Sequence, residues 1–320
     1  MSAVRAEQAT APRFANFIIG GTEKAGTTSV FDNLGAHPEV CAASRKETDF
    51  FRSGYTGEAG EDAQNYAAFF ARCDQRSPIF MEASPGYLGE ARSVAPRIRS
   101  LAPDAKLLFI LRDPLDRLYS SYHFHRGKLN LPEALSFEDY VSRCMAYDRG
   151  TARPEELGLD EWYLKVLRFG CYAEFLALYR SQLPAGNIKV MFFESLARDE
   201  TGFMVELSRF LRIDADFWAG YELRKSNVTF SGRNKLLHRL AMGLNTAAEP
   251  ILRRVPAVKR QIVRAYKAVN QQREGYDPMQ GEVRAALIDY YGPSVRDLGT
   301  RLGVEVPDSW RYLLRTGAAS

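Results

Sequence analysis

The sequence predicts an α/β fold in which a central parallel sheet is flanked by helices. Short apolar segments alternate with amphipathic helical segments along the chain, a pattern typical of doubly wound sheets with right-handed crossovers. The first such unit has an apolar segment over 14–20, a glycine-containing loop, and a helical segment over 27–34. Gly35 follows it directly and predicts the end of the helix.

The remaining pattern continues this alternation. Further strands are expected over 79–82, 106–111 and 188–193, and further helices over 115–125, 203–211 and 282–302. The stretch 136–183 is mainly helical, with Pro154 and Gly158 in a loop inside it. We expect a single domain over 14–320, in which the basic and apolar residues 236–280 form a helical insertion or lid without strands. Residues 1–13 are polar and small, and we expect them to be disordered.

Composition limits the classes of function. With 320 residues and 46% hydrophobic content, the chain can bury a full-size core. Its 43 basic and 39 acidic residues give a charge of only +4, which is too weak to indicate nucleic-acid binding. No segment approaches the roughly 20 apolar residues of a membrane span, and the N-terminus lacks the apolar stretch of a signal peptide. We expect a cytoplasmic protein, without peripheral membrane contact.

The cysteines do not form a recognisable metal or redox motif. Cys41, Cys73, Cys144 and Cys171 have no CxxC spacing and no histidines placed as companion ligands. We therefore expect reduced thiols and no metal site.

The glycine-containing loop has the sequence GGTEKAGTTS over residues 20–29. Glycines let the backbone approach an anion closely, and a helix N-terminus offers unpaired N–H groups and a positive dipole. Lys24 adds a full charge, and Thr27 and Thr28 add hydroxyl donors. A turn without a ligand would explain the glycines alone, so the segment predicts an anion-binding loop.

The spacing in this loop differs from that of a nucleoside triphosphatase. A Walker A loop places its lysine directly after its last glycine, whereas Lys24 precedes Gly26. A triphosphatase also needs an acidic residue at a strand end to hold magnesium. Asp113 could be that residue, but it stands before Pro114 and is better interpreted as a helix N-cap.

Arg112 is a second candidate for anion binding. It follows the strand expected over 106–111 and therefore lies at the sheet edge where open α/β folds bind ligands. Its guanidinium could make a forked contact with a phosphate, and Ser120 on the next helix could add a hydroxyl. The alternatives are a structural salt bridge for Arg112 and a packing role for Ser120.

Two of these segments together resemble the PAPS-dependent sulfotransferases, especially the heparan-sulfate and carbohydrate branch with its bacterial relatives. KAGTTS over 24–29 is similar to the family's 5'-phosphosulfate loop, and LRDPLDRLYSSY over 111–122 is similar to its 3'-phosphate element. Weaker matches are HPEV over 37–40, KETDFF over 46–51 and MEASPGYL over 81–88. The resemblance implies a P-loop-type fold. It also implies transfer of a sulfuryl group from 3'-phosphoadenosine-5'-phosphosulfate (PAPS) to a hydroxyl or amine, with release of PAP.

The resemblance also implies a set of cofactor contacts. They are Lys24, Ala25, Gly26, Thr27, Thr28, Ser29, Arg112, Ser120, Ser231, Gly232 and Arg233. Lys24 would lie beside the bridging oxygen, and Arg112 and Ser120 would bind the 3'-phosphate. The match of residues 231–233 to the family's late cofactor loop is loose. The heparan branch has a lysine where this chain has Ala83, so any role of that lysine is absent or supplied by another residue.

The resemblance makes Glu47 the first choice for the catalytic base. The carbohydrate branch places a glutamate shortly before a Phe-Phe pair, and burial near Phe50 and Phe51 would raise the pKa of Glu47. Asp49 is an alternative. Sulfotransferases of small phenols and steroids use a histidine instead, for which the chain offers His37, His123, His125 and His238. Sulfuryl transfer depends on positioning and on stabilising the leaving group, so no metal is expected.

Two other classes of function remain open at this point. A P-loop kinase of a small metabolite would bind ATP with magnesium. A noncatalytic anion- or nucleotide-binding module could associate with membranes through the basic, apolar segment 236–267, although an amphipathic helix pair covering the core explains that segment as well. The sequence does not distinguish a small-molecule, glycan or lipid acceptor.

Overall fold

The computed structural model describes residues 14–52, 59–74, 76–224, 231–232, 271–272 and 279–315. Five strands in these ranges form one parallel sheet. They are β1 Phe17–Gly21, β2 Val40–Ala42, β3 Ile79–Ala83, β4 Lys106–Leu111 and β5 Ile188–Phe192. The strand order is β2-β3-β1-β4-β5, and the expected α/β architecture is confirmed.

Helices connect the strands and continue beyond the last one. They are α1 Thr27–Leu34, α2 Ala59–Ala67, α3 Ala91–Leu101, α4 Pro114–Gly127, α5 Phe137–Asp148, α6 Pro154–Leu157, α7 Glu161–Lys165, α8 Tyr172–Gln182, α9 Phe193–Arg198, α10 Glu200–Leu211 and α11 Gly281–Thr300. A 3-10 segment over Asp308–Leu314 follows α11. The predicted bounds of α1 and β4 are confirmed, and the other predicted elements differ by a few residues at their ends.

The sheet is buried on both faces, which is why its strands consist of nearly continuous apolar residues. On one face, Ile18 and Phe109 belong to a core that includes residues of α3, α8 and α11. On the other face, Ile19 and Ile110 belong to a second core that includes residues of α1 and α10. The fold is therefore three-layered, with helices on each side of the sheet.

The order of the strands determines where a ligand can bind. From β1 the chain passes to β2 at one edge, returns through β3, and then crosses β1 to form β4 and β5 on its other side. The helices that follow β1 and β4 therefore diverge, and a crevice opens at the carboxyl ends of these two strands. The anion-binding loop and Arg112 both lie at this switch point.

Two local predictions need correction. The edge strand β2 was not predicted, because it has only three residues and depends on its pairing with β3. Residues 271–272, expected to lie in a segment without strands, are extended and pair antiparallel with 231–232. Residues 236–270 and 273–278 of the predicted helical insertion, Arg233 and residues 1–13 lie outside the described residues. Among the described helices, none combines the length and apolar character that a bilayer span requires.

The prediction of four reduced thiols is wrong for one pair of cysteines. Cys41 on β2 and Cys73, near the end of the connection from α2 to β3, form a disulfide with a Cα–Cα distance of 5.7 Å. Cys144 and Cys171 are free thiols. The pair is 32 residues apart in sequence, so only the return of the chain from β2 through α2 to β3 brings the two thiols together.

Reduction of the disulfide is expected to destabilise the protein. A cross-link that closes a loop of this length restricts the unfolded chain and is typically worth about 3 kcal/mol. Urea unfolding with and without dithiothreitol should show this loss in the wild type and none in the Cys41→Ser/Cys73→Ser double variant. Equal unfolding free energies of the wild type in both conditions would contradict the prediction.

Candidate active site

The anion-binding loop joins β1 to α1 at the switch point. The backbone N–H of Thr22 donates to the carbonyl of Ile110 on β4, with an N–O distance of 2.8 Å, so the loop is held at the end of the sheet. Gly26 precedes α1 with a φ of 81°, a conformation that favours glycine. A Cβ atom there would lie 2.7 Å from Cδ2 of Leu196. Because glycine has no side chain to cap α1, the first N–H groups of the helix remain available for an anion.

Two cations meet at this loop. The Nζ atom of Lys24 lies 4.1 Å from the centroid of the Phe124 ring. Nη1 of Arg112 donates to the carbonyl of Lys24 over 3.0 Å, and the guanidinium lies 4.8 Å from the ring centroid of Phe193. The structure therefore brings together two residues that are 88 positions apart in sequence.

The hydroxyl side chains of the predicted cofactor set lie in different environments. Thr27 is buried and Thr28 is half-buried at the start of α1. The hydroxyl of Ser29 donates to Oε1 of Glu200 on α10 over 3.1 Å, so it is engaged with that helix. Ser120 is buried on α4, 5% exposed. Residues 231–232 are described only as a strand pair.

Asp113 is the N-cap of α4, as predicted. Its Oδ1 accepts from the backbone N–H groups of Leu115 and Asp116 at 3.0 and 3.2 Å. Its Oδ2 accepts from the hydroxyl of Tyr312 at 2.7 Å. Burial raises the pKa of Asp113 to about 6, although the hydrogen bond from Tyr312 opposes this. Both oxygens are thus occupied by donors, which leaves the carboxylate poorly suited to hold magnesium.

A neighbouring glutamate extends this network. Oε1 of Glu194 accepts from the backbone N–H of Asp113 at 2.9 Å and from the indole N–H of Trp310 at 3.0 Å. Asp113 and Glu194 therefore both bind side chains of the 3-10 segment after α11. The start of α4, where Arg112 lies, is anchored from the end of the described chain.

Glu47 lies near the loop, and its side chain is exposed. Its backbone N–H donates to the carbonyl of Ala83 over 2.8 Å, which places it at the carboxyl end of β3, next to β1. Its side chain is 58% exposed and pairs with Nζ of Lys46 at 2.8 Å. Phe50 and Phe51 are buried in the core instead. The Glu47 side chain is therefore not buried beside Phe50 and Phe51.

The local backbone accounts for this arrangement. Glu47 and Asp49 have φ values of 61° and 54°, in the left-handed region that non-glycine residues rarely adopt. Across this irregular segment, Phe50 and Phe51 enter the core, whereas the Glu47 carboxylate is exposed to solvent. Burial raises the pKa of Asp49, and the charge of Arg52 opposes this.

Sequence reasoning missed the carboxyl group below this segment. Glu82 on β3 is fully buried and accepts a hydrogen bond from the hydroxyl of Thr48. Burial raises the pKa of Glu82 to about 7, while the hydrogen bonds from Thr48 and Tyr87 oppose the increase. The signal in the sequence was a glutamate within the otherwise apolar strand IFMEA.

The histidines considered as bases have different surroundings. Nε2 of His37 lies 2.8 Å from the carbonyl oxygen of Asp214, so His37 has a structural partner. His123 packs against the rings of Tyr119 and Tyr122. Nε2 of His125 lies 3.0 Å from Oε1 of Glu23. His238 lies outside the described residues.

Comparison with known proteins identifies the family. A family model for the sulfotransferase domain matches residues 15–229, a range that includes the anion-binding loop, Glu47 and α4. The chain belongs to the sulfotransferase family. The resemblance drawn from the sequence is confirmed.

Curated sulfotransferase relatives match parts of the chain. Membrane-associated sulfotransferase kil1 of Dictyostelium discoideum is 36% identical over 152 residues, which are 44% of this chain and 31% of that protein. Mouse heparan sulfate glucosamine 3-O-sulfotransferase 3B1 is 29% identical over 194 residues, 61% of this chain and 45% of the relative. The chain spans less than half the length of these curated relatives.

A solved structure supports the sulfotransferase fold. The crystal structure of a sulfotransferase from Alicyclobacillus acidocaldarius is 22% identical in sequence and superposes with a TM-score of 0.60. The match covers 93% of this chain and 99% of the other. The likeness therefore extends beyond the residues that the family model matches.

Glu82→Gln is expected to change how stability depends on pH. The wild type loses stability as the pH rises from 4.5 to about 7. The reason is that Glu82 ionises at its ordinary pKa of 4.5 in the unfolded chain but only near pH 7 in the folded protein. The amide does not titrate. Each pH unit in this window is worth about 1.4 kcal/mol, so the variant should gain about 3 kcal/mol over the wild type between pH 4 and 8.

Urea unfolding across this pH range measures the effect. Glu206→Gln is the matched control, since the Glu206 side chain is 55% exposed on α10 and paired with Lys189. If the Glu82→Gln curve ran parallel to the wild-type curve, Glu82 would not be the group that titrates near pH 7.

Proposed function

We propose that this chain transfers a sulfuryl group from PAPS to a hydroxyl or amine and releases PAP. The observation that carries the proposal is the convergence of Lys24 and Arg112 at the switch point, where Nη1 of Arg112 lies 3.0 Å from the carbonyl oxygen of Lys24. One cation belongs to the segment similar to a 5'-phosphosulfate loop, and the other opens the segment similar to a 3'-phosphate element. A ligand that carries two separate anionic groups on one ribose, a 5'-phosphosulfate and a 3'-phosphate, fits this pair.

We assign the cofactor contacts in two groups. The 5'-phosphosulfate would bind to Lys24, the backbone of 25–29, and the hydroxyls of Thr27 and Thr28. The 3'-phosphate would bind to Arg112 and Ser120, although Ser120 must gain access from its buried position. Closure of residues 231–233 over the cofactor stays a prediction from the resemblance, as does a hydroxyl contact from Ser29.

The proposed reaction is an in-line displacement at sulfur. The acceptor oxygen or nitrogen forms a bond to sulfur while the bond from sulfur to the bridging oxygen breaks, and that oxygen leaves with its electron pair on the 5'-phosphate of PAP. Lys24 stabilises the negative charge on the leaving oxygen. Glu47 accepts the acceptor's proton, and its carboxylate is exposed to solvent beside Lys46. The charge stabilisation comes from the protein, so this step requires no metal ion.

The kinase alternative is less consistent with the geometry. It needs an acid at the end of β4 to hold magnesium, and Asp113 uses both oxygens to cap α4 and to bind Tyr312. A membrane-binding module would use the segment 236–267, which lies outside the described residues. We therefore favour the enzyme.

The acceptor is proposed only as a class. One matched relative is named for heparan sulfate glucosamine, which favours a glycan among the small-molecule, glycan and lipid acceptors that the sequence leaves open. We propose no nucleic-acid partner, because the net charge of +4 is small.

PAP and PAPS are expected to raise the melting temperature, and ATP with magnesium should do so far less. The loop has no Walker A spacing, and Arg112 needs a 3'-phosphate that ATP lacks. Differential scanning fluorimetry at matched ligand concentrations tests this. Equal stabilisation by ATP with magnesium would favour the kinase.

Glu47→Gln is expected to keep PAP affinity and to lose turnover. The amide has nearly the shape of the carboxylate but cannot accept a proton, and loss of a general base typically lowers kcat by ~10²- to 10⁴-fold. Labelled PAPS with a host metabolite extract supplies the acceptor for this assay, and mass spectrometry identifies the product. Asp49→Asn is the matched variant. An active Glu47→Gln beside an inactive Asp49→Asn would move the base to Asp49.

The location of the protein is a separate proposal. The sequence favours the cytoplasm, whereas the Cys41–Cys73 disulfide favours a compartment where disulfides persist, since cytosolic thiols are mostly kept reduced. We expect acid-quenched protein from its host to show two alkylated cysteines before reduction and four after it, by intact-mass spectrometry. Four alkylated cysteines before reduction would place the chain in a reducing compartment.

A further inference from the structure

A glutamate–histidine pair joins the anion-binding loop to α4. Glu23 immediately precedes Lys24 in the loop, and its Oε1 lies 3.0 Å from Nε2 of His125. The hydroxyl of Ser121, one turn earlier on α4, donates to Oε2 of Glu23 over 3.3 Å. Since an ionised carboxylate can only accept hydrogen bonds, Nε2 of His125 carries the proton and donates it.

His125 is itself held in place. Its Nδ1 lies 3.3 Å from the amide nitrogen of Asn130, and its ring packs at centroid distances of 5.2 and 5.1 Å from the rings of Trp162 and Tyr163. Only 8% of its side chain is exposed. His125 is therefore a rigid anchor on α4. Its unprotonated nitrogen, Nδ1, is the one that a general base would offer to an acceptor, and it already accepts from Asn130.

The Glu23 carboxylate is surrounded by compensating groups. A quarter of its side chain is exposed. Burial raises the pKa of Glu23, but the hydrogen bond from His125 and the charges around it, including Arg117 and Lys24, lower the pKa below its ordinary value overall. Glu23 is therefore an anion at neutral pH.

This anion acts directly on Lys24. Burial, together with the positive charges of Arg112 and Lys128, lowers the pKa of Lys24 to about 8, although the Glu23 carboxylate opposes this. Nζ of Lys128 lies 4.1 Å from the same Phe124 ring that Lys24 contacts. Lys24 thus has two cationic neighbours, and Glu23 is the carboxylate that offsets them.

We propose that Glu23 is a positioning residue for Lys24, clamped to α4 by hydrogen bonds from His125 and Ser121. The negative charge held there favours the ammonium form of Lys24 before an anion binds. The clamp would hold the backbone of Lys24, which has a φ of 66°, at a constant distance from the helix that carries the second phosphate contact. The inference rests on the proposed contact between Lys24 and the cofactor.

The charge of Glu23 and the clamp by His125 are expected to affect PAP binding in different ways. If Glu23 maintains the charge of Lys24, its removal lets the ammonium lose its proton at a lower pH, because an opposite charge nearby favours the charged form. If His125 holds the clamp, its truncation weakens PAP binding at every pH, and a glutamine with a comparably placed N–H donor restores it. A residue that only stabilises the fold would not shift the pH dependence.

Isothermal titration of PAP from pH 6 to 10 tests the charge effect without an identified acceptor. In the wild type, PAP affinity should fall as pH rises through about 8. In Glu23→Gln, the midpoint of this fall should move to lower pH by about 1 unit. Glu206→Gln, which removes an exposed carboxylate paired with Lys189 on β5, is the matched control and should keep the wild-type midpoint.

The clamp is tested with two histidine variants at pH 7. His125→Ala should weaken PAP binding by about 10-fold, the scale of losing one hydrogen bond to a charged group, and His125→Gln should recover most of this loss. Melting temperatures of the variants establish that each one is folded. Equal PAP affinities in His125→Ala and the wild type would show that the clamp does not position the loop.

Lys24→Ala separates the failure of this inference from failure of the proposed function. If Lys24→Ala binds PAP as the wild type does, Lys24 does not contact the cofactor, and both proposals about it are wrong. If Lys24→Ala weakens PAP binding while the pH profile of Glu23→Gln matches the wild type, only the role of Glu23 is wrong.

Discussion

The site depends on holding positive groups close together before any anion is bound. Lys24, Arg112 and the N-terminus of α1 all converge at the end of β1. The protein offsets their repulsion with weak acceptors: the rings of Phe124 and Phe193 face the two cations, and the carbonyl of Lys24 accepts from Arg112. Glu23 supplies a full negative charge next to Lys24, and His125 holds that carboxylate against α4. Within the part of the chain that the structure describes, Lys24 and Arg112 form no direct ion pair, so an incoming anion meets both as unneutralised cations.

The carboxyl groups around the site differ in their burial and in their hydrogen-bond partners. Glu47 is exposed, Glu82 is fully buried below it, and Asp113 caps a helix. The same chemical group thus serves as a proposed proton acceptor in Glu47, a buried hydrogen-bond acceptor for Thr48 in Glu82, and a helix cap in Asp113. Burial and the number of hydrogen-bond donors around each group account for the difference.

The sequence was sufficient wherever a feature depends on neighbouring residues. The glycine loop, the bounds of α1 and the N-cap role of Asp113 follow from patterns a few residues long. What it could not predict depends on contacts between distant residues: Thr48 with Glu82, 34 positions apart, Glu23 with His125, 102 positions apart, and the disulfide. The exposure of Glu47 was missed for a related reason, since it follows from left-handed backbone conformations that ordinary propensities do not favour.

The segment after α11 changes where the domain can be considered to end. Tyr312 and Trp310 donate to Asp113 and Glu194, yet both lie about 80 residues beyond the region that the family model matches. A chain truncated at residue 229 would lose these donors and leave two partly or fully buried carboxyl groups with fewer partners beside Arg112, which costs more than leaving them in water. The smallest unit that keeps this arrangement therefore has to include the C-terminal segment, because Trp310 and Tyr312 complete the hydrogen bonds at the start of α4.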